Sequence, residues 1–247
     1  MPQERTEAVV LRGVDFSESS RIVTFLTPGR GRMSCLAKGA RRKNSPVAAA
    51  LDTFNRVELV YYWKDGRGVQ NLGEATLLDA YSGLKSNLEK SAYAAFALEF
   101  AAKAAHENDP SQGLYAALTG GLASMAAWPG DARTHVCWQV LRLLREAGFE
   151  PVLDRCVRTG ALVSETPGFA YEGGVVAPGC HADRRLSRET YAALRALAAA
   201  RGVCPEIRAP ADAFIVLRQY AARQLEAEFR SVRVIEEMFG NGRSECP

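Results

Sequence analysis

Two groups of residues could do chemistry. The first is the stretch GRGRMSCLAKGARRKNSP, Gly29–Pro46, which carries Arg30, Arg32, Lys38, Arg41, Arg42 and Lys43 and no acidic residue. A run of guanidinium and ammonium groups without a counter-charge neutralises a polyanion, and nucleic acid is the commonest polyanion a protein meets. The alternative is a solvated basic loop. The second group is Cys156, Cys180, His181 and Cys204, with Asp154 as a competing oxygen ligand. Thiolate and imidazole suit a structural zinc ion. Such sites normally show two C-x2-C pairs, and here Thr159 and Ala177 stand where the second member of each pair would be.

Catalysis has little to work with. There is no phosphate-binding GxxxxGK[ST] loop and no G-x-S-x-G elbow. His106 and His135 lie in or beside predicted helices with no nucleophile nearby in sequence. The carboxylates are dispersed among cations at helical spacing, as on solvated faces. A binding protein is expected rather than an enzyme. A zinc-dependent hydrolase acting on DNA would need an open metal position and a base, and neither is evident.

The charge distribution points the same way. The net charge of the 247 residues is only +3, but residues 1–80 hold 12 Lys and Arg against 9 Asp and Glu, and the remainder is balanced. The Gly29–Pro46 stretch supplies half of those 12 cations. Six cysteines, Cys246 included, are too sparse for a disulfide scaffold. The start has no apolar signal core and no membrane-length apolar run occurs, so a cytoplasmic chain is expected.

The elements that must position these residues fall in order along the chain. EAVVLRGV, SRIVTFLT, RMSCLAKGA, FNRVELVYYW and VQNLGEATLLDAY alternate or enrich β-formers and are separated mostly by turn sequences. Five short strands in about 80 residues suit a closed barrel, the OB-fold among them. Residues 1–80 are therefore predicted as an OB-fold barrel. Arg21, Arg30, Arg32 and Lys38 would lie on or beside a groove, and Arg41, Arg42 and Lys43 on the loop leaving it. Gly39 would let the chain turn. Phe25, Phe54, Tyr61, Tyr62 and Trp63 could stack bases or fill the core.

Residues 81–148 read as a helical domain. Its last helix is predicted to start at an Asp131 cap and stop at Gly148. Residues 149–204 read as a zinc-finger-like module of short hairpins and a following helix, with Ser187 and Thr190 as candidate caps. Residues 205–240 read as one long amphipathic helix packing on the helical domain, and 241–247 as a tail. The predicted class is multidomain α+β.

Residues VDFSESSRIVTFLTPGRGRMSCLAKGARRKNSP, from Val14 to Pro46, resemble the N-terminal signature of the RecO family, bacterial recombination mediators and DNA-annealing proteins. Glu18, Arg21, Thr24, Thr27, Gly31, Arg32, Ala37, Lys38, Gly39, Ala40, Arg41, Arg42 and Ser45 fit its pattern. LREAGFEPVLDRCV, Leu144 to Val157, resembles the family's entry into its zinc module, and FAYEGGVV its glycine-pair segment. The resemblance implies an OB-fold that binds single- and double-stranded DNA and anneals complementary strands. It implies cooperation with RecR in loading RecA onto strands coated by single-strand binding protein, and a pocket in the helical domain for that protein's acidic tail. It also implies zinc ligands at positions 156, 159, 177 and 180. Thr159 and Ala177 break that set, so either the metal is gone or His181 and Cys204 complete it with Cys156 and Cys180. The rival expectation is an adaptor whose basic patch binds acidic protein tails.

Overall fold

β-branched and aromatic residues at alternating positions build five strands: β1 (Gln3–Asp15), β2 (Arg21–Thr27), β3 (Gly31–Ala37), β4 (Arg56–Tyr62) and β5 (Val69–Asp79). The computed structural model describes residues 2–163 and 166–239; Cys246 and the tail expected at 241–247 lie outside the described residues. The strands are ordered β1-β2-β3-β5-β4, and β4 pairs back onto β1, so the five-stranded sheet closes in an OB-fold-like arrangement. Only the β3–β5 pair is parallel.

Alternation sets the inside. Met33, Cys35 and Ala37 of β3 join Val23, Phe25, Leu59, Tyr61 and Trp63 in the enclosed core, while Arg32, Ser34 and Leu36 face outward. Phe25, Tyr61 and Trp63 are thus core side chains and not base platforms. Burial pushes the Cys35 thiol up to about 12. Burial, helped by the Glu4 carboxylate and opposed by Arg30, pushes the Tyr61 hydroxyl up to about 12. Local polar chemistry closes the turns. Thr27 Oγ1 accepts from Arg30 N (3.1 Å) and donates to Gly31 O (3.2 Å) in the β2–β3 turn. Buried Gln70 receives Lys64 N (2.9 Å) and donates to Arg67 O (2.8 Å) in the β4–β5 turn.

The remaining elements are mostly helical. They are α1 (Ser82–Lys85), α2 (Leu88–Ala104), α3 (Gln112–Ala127), α4 (Ala132–Glu146), α5 (Arg188–Ala199), α6 (Ala211–Gln224) and α7 (Arg230–Phe239). Between α4 and α5, a three-stranded sheet is ordered β7-β6-β8, with β6 at Gly168–Ala170, β7 at Gly174–Val176 and β8 at Arg184–Arg185. The chain divides into two compact units. One takes the described residues up to Gly83 together with Ala101–Ala123, and the other takes Leu84–Phe100 and the described residues from Ser124 on. The division differs from a helical domain running unbroken over 81–148, because its boundaries fall inside α2 and α3. No helix among the described residues is long and apolar enough to cross a membrane.

Capping residues do what their types dictate. Asp131 accepts from Thr134 N (2.8 Å) at the start of α4, and Gly148 follows its last turn with its N–H on Arg145 O (3.0 Å). Ser187 caps α5 by accepting from Thr190 N (3.1 Å).

The single helix expected over the C-terminal segment is instead two. α6 stops at Gln224, Glu226 takes a left-handed conformation (φ 46°), and α7 restarts at Arg230. The break has two supports. Phe229 is buried, with Phe96 4.8 Å and Phe100 6.4 Å away between ring centres. The Glu99 carboxylate receives Arg230 N (3.0 Å), Ser231 N (2.9 Å) and the Ser231 hydroxyl (2.8 Å). A carboxylate from another helix thus caps α7 and meets its positive dipole end. Glu99→Ala is expected to cost about 1–2 kcal/mol and to open α7 to limited proteolysis. An unchanged cleavage pattern would count against Glu99 as the cap.

Candidate nucleic-acid interface

The seven cations read from the sequence have different fates. Arg30 lies over the Trp63 ring, 4.0 Å from its centre, and its Nη2 donates to both oxygens of Glu4 (2.8 and 3.0 Å). Tyr61 also donates to Glu4 (2.7 Å). Arg32 donates to Ala102 O (2.9 Å) and to Glu107 (3.4 Å), while its own N–H reaches His106 O (3.0 Å). Arg21 pairs with Asp15 (3.3 Å). Arg30 and Arg21 are engaged within the barrel, and Arg32 ties it to residues 101–109.

The other four cluster at the end of β3. The strand stops at Ala37, Lys38 is exposed, and Gly39 takes φ +72°, the sharp turn its residue type allows. Successive turns follow, with Arg42 N on Gly39 O (3.0 Å) and Ser45 N on Arg42 O (3.0 Å). Arg41 acts as a staple. Its backbone N–H donates to Ser19 O (3.1 Å), its Nη1 to Ser17 O (2.7 Å), and its Nε lies 3.2 Å from Asp15. Lys38, Arg42 and Lys43 are exposed and have no ion-pair partner among the described residues. Arg12, which the sequence reading did not single out, is also exposed on β1 and has no ion-pair partner among the described residues. Its position opposite Thr24 in the sheet register was the missing signal. A fixed loop with free cations offers charge but no bidentate geometry aimed at a base edge, which is phosphate chemistry.

The cysteine module keeps its turns but not a ligand set. Gly160 N donates to Cys156 O (2.8 Å) and Cys180 N to Ala177 O (3.1 Å), two tight turns whose sulfurs lie 4.0 Å apart. Three residues after Cys156, where the resemblance expects a second thiolate, stands the Thr159 hydroxyl. With the Ala177 N–H it holds the Cys156 thiol down at about 6. His181 is exposed, and Cys204 is buried beside Cys137 in the helical part, where burial pushes it up to about 12. His181 and Cys204 therefore do not complete the site: among the described residues no three His, Cys, Asp or Glu side chains converge. The Cys156, Cys180, His181, Cys204 set does not fit a structural zinc, and Asp154, exposed beside Arg155, does not repair it. Distance in sequence is the reason: Cys204 follows α5 and leaves with it.

His135 is buried on α4. Its Nε2 lies 2.9 Å from Ser124 Oγ and its ring packs on Trp138 (5.2 Å). Burial first, then Lys90 and Arg142, holds it down at about 4, a neutral core histidine and not a ligand. In the same unit a cleft of about 210 Å³ is walled by Tyr93, Phe214, Ile235 and Phe239 and flanked by Arg133 and Arg218. Arg218 pairs with Glu236 (2.7 Å), and Arg133 pairs with Asp131 (3.9 Å) through Nη2, while its buried Nε has no hydrogen-bond partner among the described residues.

Comparison with known proteins matches both parts of the chain. The family described as Recombination protein O N terminal matches residues 1–81, and that described as Recombination protein O C terminal matches residues 85–233. The chain is 33% identical over 182 residues to the DNA repair protein RecO of Anaeromyxobacter dehalogenans, covering 73% of this chain and 71% of that one. It is 30% identical over 226 residues to the Salinibacter ruber protein of that name, covering 91% and 84%. It is 31% identical over 242 residues to the Nocardioides one, covering 94% and 98%, so the likeness is not confined to the basic segment. Both halves match in order and nearly end to end: the chain belongs to the RecO family.

Proposed function

We propose that the protein binds single- and double-stranded DNA through the phosphate backbone without reading sequence and anneals complementary strands in recombinational repair. The observation that carries this is the stapled loop with its free cations, Lys38, Arg42 and Lys43. Relatives named DNA repair protein RecO support the repair setting. Annealing needs no catalytic residue: neutralised phosphates reduce repulsion between strands, and base pairing supplies the rest. In this reading the protein works in the cytoplasm at the nucleoid and joins RecR in loading RecA.

The rival reading is an adaptor whose basic patch, the loop of Lys38, Arg42 and Lys43, binds acidic protein tails. The pocket that the family resemblance implies for the acidic tail of single-strand binding protein would be the cleft walled by Tyr93, Phe214, Ile235 and Phe239 and flanked by Arg133 and Arg218. Both flanking cations already face carboxylates, Arg133 with Asp131 (3.9 Å) and Arg218 with Glu236 (2.7 Å), which an acidic peptide would have to displace.

Anisotropy of a labelled single strand, followed from about 50 to 200 mM salt, tests the DNA reading. Three phosphate contacts predict a log–log slope near −2 and roughly a twentyfold loss over that range. No binding at the low end, or a flat response, would overturn it. Failure to speed pairing of complementary strands would remove the annealing part alone.

A further inference from the structure

An aromatic side chain stands beside the stapled loop with nothing to pack on. Phe16, in the DFSES turn between β1 and β2, is 63% exposed. Turns favour small polar residues, and a phenyl ring left in water contributes no burial energy to the fold. The turn is nevertheless built firmly. Phe16 N donates to Ser20 O (3.0 Å), Ser17 N to the same carbonyl (3.3 Å), and Ser20 N to Ser17 Oγ (3.2 Å).

Arg41 then ties this turn to the cationic loop. It reaches Asp15, Ser17 and Ser19, the residues on either side of Phe16, from the position next to Arg42 and Lys43 in the chain. Arg12 and Val14 lie four and two residues before Phe16, both exposed at the same end of β1. A ring on a rigid turn, tied by Arg41 to a loop of free cations, is the arrangement that grips unpaired nucleotides: cations hold the phosphates and the ring receives a base. A paired base is already stacked within its duplex and offers no free face.

We infer that Phe16 is a stacking platform for an unpaired base, giving the loop a preference for single-stranded over double-stranded DNA. The inference rests on the DNA-binding reading. It names the strand state the site favours and a contact that is not electrostatic.

The test uses the full chain, a labelled oligothymidine and a labelled duplex, with the variants Phe16→Ala, Phe16→Trp and Arg42→Ala/Lys43→Ala. Phe16 is exposed, so its replacement should leave the melting curve unchanged. Phe16→Ala is expected to lower affinity for the single strand by between about fivefold and a hundredfold. The salt slope should stay at its wild-type value, because no phosphate contact is lost, and duplex affinity should hold. Phe16→Trp should restore binding. If Phe16→Ala changes single-strand affinity less than twofold, or weakens the duplex equally, the stacking site is overturned. In either case a shallower slope in the Arg42/Lys43 variant would leave the DNA reading standing. If neither variant nor salt alters affinity, the DNA reading fails and this inference fails with it.

Discussion

Replacing Arg41, Arg42 and Lys43 together with alanine is expected to lower single-strand affinity at least tenfold near physiological salt and to shallow the salt slope by about 1.4, the share of Arg42 and Lys43, with Lys38 keeping the rest. Each phosphate contact contributes roughly 0.7 to that slope on a single strand. The three positions should not behave alike. Arg42 and Lys43 are exposed and free, so their removal should change the slope by their phosphate contacts alone. Arg41 also holds the β1–β2 turn through Ser17 and Ser19, so Arg41→Ala should weaken binding beyond its charge. Arg41→Lys keeps the charge but loses the forked contacts. If Arg41→Lys binds like wild type while Arg41→Ala does not, the staple is unimportant and only the charge counts. An unchanged slope in the triple variant would move the DNA contact off this loop.

Gly31→Ala is expected to be the most damaging single methyl in the barrel unit. Gly31 holds φ +55°, and a Cβ there would sit 2.2 Å from Asp109 O and 2.6 Å from His106 O. Both obstacles are backbone, so no side chain can swing aside. The left-handed conformation and the collision together should cost about 3 kcal/mol, at the upper end for backbone strain. The same residues anchor Arg32, whose N–H reaches His106 O. Urea unfolding should show a lower midpoint with an unchanged m value. A midpoint equal to wild type would mean that residues 106–109 can retreat from β3 at little cost.

The strands and caps were legible because their signals are local. Alternation in RMSCLA decides which side chains face inward, and Asp131, Gly148 and Ser187 act within four residues of themselves. What could not be read depends on distant partners. Arg30 and Arg32 carry the same charge as Arg42, and only the folded chain brings Glu4 to one and Ala102 O to the other. The long C-terminal periodicity runs through residue 229 without a proline or glycine, and the break there is secured by Glu99, 131 residues before Arg230. Cys204 lies 24 residues beyond Cys180, and only the folded chain shows that it is buried after α5 and does not return to the Cys156–Cys180 turns. Phe16 did carry a local sign, a large apolar residue in an otherwise polar turn, but its meaning depends on Arg41 reaching back across from the next loop.

The Glu99 cap has a consequence for how occupancy of the cleft is felt. Ile235 and Phe239 form one wall of the cleft, and both belong to α7, which begins at residues held by Glu99. A local opening of α7 would therefore remove this wall while leaving the rest of the unit in place. A peptide that recognises the closed form adds RT ln(1 + [L]/Kd) to the free energy of that opening. By reciprocity, the fraction of time α7 stands open is deducted from the peptide's intrinsic affinity. Amide protons of α7 would then serve as a built-in reporter, their deuterium uptake slowing in proportion to peptide bound, while those of the barrel keep their own pace.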